Sequence, residues 1–137
     1  MAVYGIGQSI RRTEDLRFLT GSSQFVDDID VDGMLHGVVL RSPHAHAVIK
    51  SIDTSAAEKL LGVAAILTGA DVSADGLLPV RPHAKTDNKD GTPFFVPPRH
   101  VLVSDRVRYL GDGVAFVVAE TREQALDAAE SIVVDYE

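Results

Sequence analysis

Two stretches of the chain repeat one grammar of apolar and polar positions. In the first, Ala47 to Ile52 reads as a strand, and Ser55-Ala-Ala-Glu58 forms a capping box that opens a short helix through Leu61. Gly62 suits the residue just past that helix, and Val63 to Leu67 is the next strand. In the second, Val114 to Val118 is a continuous apolar strand and Thr121-Arg-Glu-Gln124 is another capping box. Ala125, Leu126, Ala128, Ala129 and Ile132 then recur at helical spacing before the strand Ile132 to Val134. Two strand–helix–strand units packed on one core are the economical reading.

The rest of the pattern is weaker. Ile10 to Leu19 predicts an arm with one helical turn, within a Gly- and Arg-rich stretch over residues 1–23. Gly21-Ser22-Ser23 breaks the chain before Phe25-Val26, which begins a short strand, and Asp32-Gly33 closes an acidic stretch with a turn. Leu35 to Leu40 is an apolar, β-branched run that Arg41-Ser42-Pro43 stops. Ser73 to His100 has no periodicity and holds Pro79, Pro82, Pro93, Pro97 and Pro98, so only brief strands are expected there. A stretch of that length without structure of its own is functional, docking or mobile.

Composition narrows the chemistry. A length of 137 residues predicts one domain. With no cysteine, the chain has no thiol nucleophile, no thiolate ligands for an iron–sulfur cluster or zinc, and no disulfide. Thirteen Lys and Arg against 20 Asp and Glu leave a net charge of -7, the wrong sign for an unaided binder of nucleic acid or an anionic membrane. The longest apolar block, Val114 to Ala119, is far short of the ~20 residues of a membrane span. Met1-Ala-Val-Tyr-Gly shows neither the charged nor the apolar region of a signal peptide, so a cytoplasmic location is expected.

No catalytic constellation emerges from the remaining polar residues. Asp28-x-Asp30-x-Asp32-Gly33 copies the first half of an EF-hand loop. Loop position twelve, which needs a bidentate Glu, falls on Val39, and both flanks read as strands; a solvated acidic turn is favoured over calcium. His44-Ala-His46 puts two imidazoles on one face of a strand edge, a spacing suited to a metal. His36, His83 and His100 stand at no spacing that supplies a third ligand, which favours structural or interface contacts. Gly111-Asp-Gly113 precedes a strand, whereas a phosphate loop follows one, so a bulge or turn is expected; Gly5-Ile-Gly7-Gln8 has no helix behind it. Arg11, Arg12, Glu14 and Arg17 are either an anion clamp or an arm of mutually satisfied charges, and the second is the commoner use of such residues.

Six segments in order resemble one family. They are Ile6-Gly-Gln-Ser-Ile-Arg-Arg-x-Glu14-Asp-x-Arg17-x-Leu-Thr-Gly21, Phe25-Val-Asp-Asp-Ile29, Leu40-Arg-Ser-Pro-His-Ala-His46, Ser51-Ile-Asp-Thr-Ser55, Gly62-Val63 through Leu67-Thr-Gly69, and Arg106-Val-Arg-Tyr109 to Asp135-Tyr-Glu137. Together they resemble the N-terminal part of the large subunit of molybdenum hydroxylases, the group of xanthine dehydrogenase, aldehyde oxidase and aerobic carbon monoxide dehydrogenase. The resemblance implies an α+β fold of the α/β hammerhead type over residues 1–137. In it a mixed sheet would carry the two strand–helix–strand units and the long proline-rich loop, residues 73–100.

It implies as well a structural and docking domain that is inactive alone. The molybdopterin and the catalytic residues would lie on other parts of the enzyme, with iron–sulfur clusters and FAD on partner chains or domains. Where the family pattern has Gln or Glu, often followed by Pro, this chain has Asp112-Gly113. The expected docking surface comprises Arg11, Arg12, Glu14, Arg17, His44, His46 and Asp112, with the proline-rich loop. The competing readings are a free-standing module for a small ligand or metal, and an assembly factor for such an enzyme.

Overall fold

Val114 to Val118 is apolar at every position because its strand has neighbours on both edges and a helix over one face. In the computed structural model, which describes residue 7, residues 11–81 and residues 87–137, that strand is β5 (Gly113–Ala119). It lies antiparallel between β1 (His36–Arg41) and β3 (Val63–Thr68), in the order β1-β5-β3. The Ala-rich face of helix α3 (Arg122–Glu130) closes over β5 and β1, burying Ala125, Ala128 and Ala129 against Ala115, Val117 and Ala119. Small side chains on both surfaces let the helix approach the sheet closely.

A second antiparallel sheet has the order β4-β2-β6, with β2 (Ala47–Asp53) between β4 (Arg106–Val107) and β6 (Val133–Tyr136). Its core holds Ala47, Ile49, Val103, Val107 and Val114. Ile52 and Val134 pack against both cores and join them.

Both strand–helix–strand units are present, and both cross between sheets. The first runs from β2 through a 3₁₀ turn (Ala57–Lys59) to β3, and the second from β5 through α3 to β6. Two antiparallel sheets therefore replace the expected mixed one. Residues 54–62, which link β2 to β3, are fewer than the dozen or so that a parallel crossover within one sheet needs.

Capping decides the ends of these elements. Thr121 caps α3 as expected: its Oγ1 accepts the Gln124 N–H at 3.2 Å, and Gln124 Oε1 accepts the Thr121 N–H at 3.0 Å. The box expected at Ser55 does not form: the Ala57–Lys59 turn has no side-chain cap, Ser55 N–H donates to Asp53 Oδ1 at 3.0 Å, and Glu58 Oε1 accepts the Thr54 hydroxyl at 2.6 Å. A short helix that the sequence pattern did not suggest, α2 (Gly69–Ala74), begins where Asp71 Oδ2 accepts the Thr68 N–H at 2.7 Å and its hydroxyl at 2.6 Å.

The Thr68 hydroxyl holds the Asp71 carboxyl below the usual range, as Ser55 does for Asp53 and Thr92 for Asp90. Lowered carboxyl pKa values contribute stability that is fully present above the ordinary value and lost as pH falls through the folded one. The midpoint of urea unfolding is thus expected to hold between pH 5 and 7 and to fall below about pH 4. The Asp71→Asn variant should show a shallower acid limb in the same measurement.

Residues 35–137 form one compact unit, and residues 1–34 cluster as another. In the latter, α1 (Asp15–Leu19) is the expected single helical turn. Phe25-Val26 does not begin a strand: Asp28 Oδ2 accepts the Phe25 N–H at 2.8 Å and closes a 3₁₀ turn over Val26–Asp28. The Phe25 ring stacks on Phe18, with centroids 4.6 Å apart.

The proline-rich stretch folds back on itself. Val80 pairs with Arg99 and Asp87 with Pro93 as isolated antiparallel bridges, and the chain reverses over Asn88 to Gly91. Pro82 and His83 lie outside the described residues, as does most of Gly5-Ile-Gly7-Gln8. Among the described residues, no helix is long and apolar enough to cross a membrane.

Candidate functional site

The expected turn at Gly111-Asp112-Gly113 is the most internally bonded of the candidate sites. Gly111 adopts φ +86°, a conformation open to glycine, and its N–H donates to Ser42 O at 2.9 Å. Ser42 N–H returns a bond to Asp112 O at 2.9 Å, and Arg41 Nη1 donates to Gly111 O at 2.9 Å. The β1–β5 register shifts between Leu40 and Arg41, which aims this corner out of the sheet.

Asp112 turns inward rather than out: at 3% exposure it is one of two buried polar residues among those described, with Ser42. Its Oδ2 accepts the Arg108 N–H at 3.0 Å. The carboxylate also takes a hydrogen bond from the Tyr109 hydroxyl, which raises the Tyr109 pKa above its ordinary value. Arg108 in turn donates to Asp105 Oδ2 at 3.0 Å, and that bond lowers the Asp105 pKa.

Above this corner a hollow of about 330 Å³ is lined by Pro97 to His100, Val103, Arg108, Tyr109 and Asp112. Nothing in the local pattern of the sequence marked Tyr109 or Arg99 for this place, because the hollow forms only when the hairpin returns to its root at Val80 and Arg99.

The Tyr109–Asp112 contact carries a measurable consequence. A raised tyrosine pKa stabilises the fold below the unfolded value of about 10, and that contribution is lost as pH rises through the folded value. In an ultraviolet titration Tyr109 is expected to ionise at higher pH than in the Asp112→Ala variant. The same substitution leaves the Arg108 N–H without its acceptor and should cost about 1–2 kcal/mol.

His44 and His46 do not share a strand face. Both precede β2, and Ser42 Oγ accepts the His44 N–H at 3.0 Å, bending the chain there. The His44 ring meets Tyr136 edge-on at 4.8 Å, whereas His46 Nε2 lies 3.3 Å from Arg106 Nη1. One imidazole is thus engaged by an aromatic ring and the other by a cation, which disfavours a shared metal. Among the described residues, no three His, Asp or Glu side chains converge, and Asp28 is used by its own turn.

The charged arm reads as mutually satisfied. Arg12 lies 3.6 Å from Glu14 and 4.0 Å from Asp15, exposed pairs of small energetic weight. Arg11, Glu14 and Arg17 are likewise exposed, on or beside α1.

A family model for the aldehyde oxidase and xanthine dehydrogenase a/b hammerhead domain matches residues 20–137. The chain is 44% identical over 133 residues to the carbon monoxide dehydrogenase large chain of Afipia carboxidovorans. It is 40% identical over 134 residues to the nicotine 6-hydroxylase large subunit of Paenarthrobacter nicotinovorans. Those matches take in 97% and 96% of this chain but 15% of each relative. The solved structure of quinoline 2-oxidoreductase from Pseudomonas putida 86 matches with a TM-score of 0.81 at 40% identity, over 96% of this chain and 16% of that one. By these matches the chain belongs to the a/b hammerhead domain family of aldehyde oxidase and xanthine dehydrogenase.

Proposed function

We propose that the chain is the structural and docking domain of a molybdenum-dependent hydroxylase large subunit and supplies no catalytic group of its own. The observation that carries this reading is the match of almost the whole chain to 15% of several large chains. The rest of such an enzyme would hold the molybdopterin and oxidise a heterocycle, an aldehyde or carbon monoxide. Iron–sulfur and flavin partners would take the electrons away, and a cytoplasmic location belongs to the same proposal.

The residues present do not build a molybdenum centre. The chain has no cysteine, and the described His, Asp and Glu residues form no group of three. Its contribution is mechanical: two sheets joined through Ile52 and Val134 carry the corner at Asp112 and the proline-rich stretch that would face neighbouring domains.

Purified alone, the chain is expected to contain no molybdenum by elemental analysis. It should show no turnover of carbon monoxide, aldehydes or N-heterocycles with an artificial electron acceptor. A chimera in which it replaces the matching residues of the Afipia carboxidovorans large chain should assemble and retain molybdenum. Stoichiometric molybdenum or turnover in the isolated chain would overturn the proposal.

A further inference from the structure

None of the described aromatic side chains is fully buried. Among the described residues the buried core consists of Ala, Val, Leu and Ile, without a single phenylalanine. Phe94 and Phe95 instead sit between the Asp87–Pro93 and Val80–Arg99 bridges on the returning limb of the proline-rich stretch, 56% and 77% exposed, and Leu78, just before Val80, is 78% exposed. Adjacent exposed aromatics of this kind mark an interaction surface rather than ordinary surface scatter.

We propose that this limb docks permanently against the remainder of the large chain, and not against a separately made electron-transfer subunit. The inference rests on the reading of the chain as one domain of a molybdenum hydroxylase large subunit. Its occupant follows from length: the relatives are single chains of which this domain spans 15%, so a far larger body is folded beside it from the same polypeptide. Surfaces that are never free in solution tolerate core-like apolar character, whereas subunits that meet after folding use more polar ones.

The prolines fit the same role. Pro93, Pro97 and Pro98 carry no backbone N–H, so covering this limb with apolar surface strands fewer donors than covering an ordinary loop. They also remove the ladder that edge-to-edge pairing of two copies would use.

The test uses the whole enzyme that carries this chain, with p-benzoylphenylalanine in place of Phe95. Photolysis is expected to link residue 95 to large-chain peptides outside these 137 residues. The Phe94→Ser/Phe95→Ser double variant should lower the yield of assembled enzyme roughly tenfold, the scale of a lost interface anchor. The melting of the isolated domain should not change, because both side chains are exposed. A molybdenum-containing enzyme that links residue 95 to an iron–sulfur or flavin subunit, to a second copy of this domain, or to nothing would overturn the inference while leaving the parent reading in place. A purified complex without molybdenum or any large-chain sequence would instead overturn the parent reading, and the inference with it.

Discussion

Val117→Asp is expected to leave the chain largely unfolded at neutral pH. Val117 is fully buried at the centre of β5, level with Val38 of β1 on one side and Ile66 of β3 on the other. Around it the cluster supplies Ala57, Ala115, Ala125, Ala128, Ala129 and other apolar side chains, which offer a carboxylate no hydrogen bond or counter-charge. An uncompensated buried charge costs about 3–5 kcal/mol, on top of lost apolar packing. Domains of this size are stable by only about 5–15 kcal/mol, so the loss is a large share of the total. The variant should lose its cooperative thermal transition, or shift its urea midpoint strongly downward. Leu61→Asp, at a turn position that is 87% exposed, should stay within about 0.5 kcal/mol of the parent. If the two variants melted alike, β5 would not be the centre of the core.

That strand was also the clearest element in the sequence, for a physical reason. A run as apolar as Val114 to Val118 has no solvent face, so it must have neighbours on both edges and cover above it. The Thr121–Gln124 box and the alanine spacing behind it were equally legible, because capping and helical periodicity are local properties. Sheet membership is not local. Whether β2 and β3 join one sheet or two depends on how α3 and the short 54–62 connection settle on the core.

Short-range competition explains the smaller misses. Phe25-Val26 has strand-forming residues, but Asp28 captures the Phe25 N–H first. The bridges Val80–Arg99 and Asp87–Pro93 are the brief pairing expected of the proline-rich stretch, but which residues pair is set by contacts remote in sequence. At the candidate site, the family comparison singled out Asp112, and the structure shows it holding its own corner together. Its partners Arg108 and Tyr109 lie four and three residues away, and their spacing alone does not mark them as its partners. The exposure of Phe94 and Phe95 is invisible to composition, since apolarity does not say which way a side chain faces.

Gly69→Val is expected to destabilise the chain by about 3 kcal/mol, despite lying at the start of a helix where glycine is a poor choice. On propensity alone, replacing glycine would favour α2 by a few tenths of a kcal/mol or more. Sterics oppose this. A Cβ at Gly69 would stand 2.7 Å from the Val103 carbonyl carbon and 2.8 Å from both Val103 O and Ser104 N. These are backbone atoms, and the Val103 N–H is tied to Gly113 O at 2.9 Å, so the segment cannot retreat without breaking the corner that leads into β5. Alanine should already cost about 2 kcal/mol, and the second and third carbons of valine extend the clash. Gly37 offers the comparison, because there a Cβ meets the far end of the Phe116 ring, on a half-buried side chain that is able to swing aside. Gly37→Ala should therefore cost about 1 kcal/mol. A urea titration of the two alanine variants decides the matter: an equal or larger loss at Gly37 would mean that the Phe116 ring, not the Val103–Ser104 backbone, is the rigid neighbour.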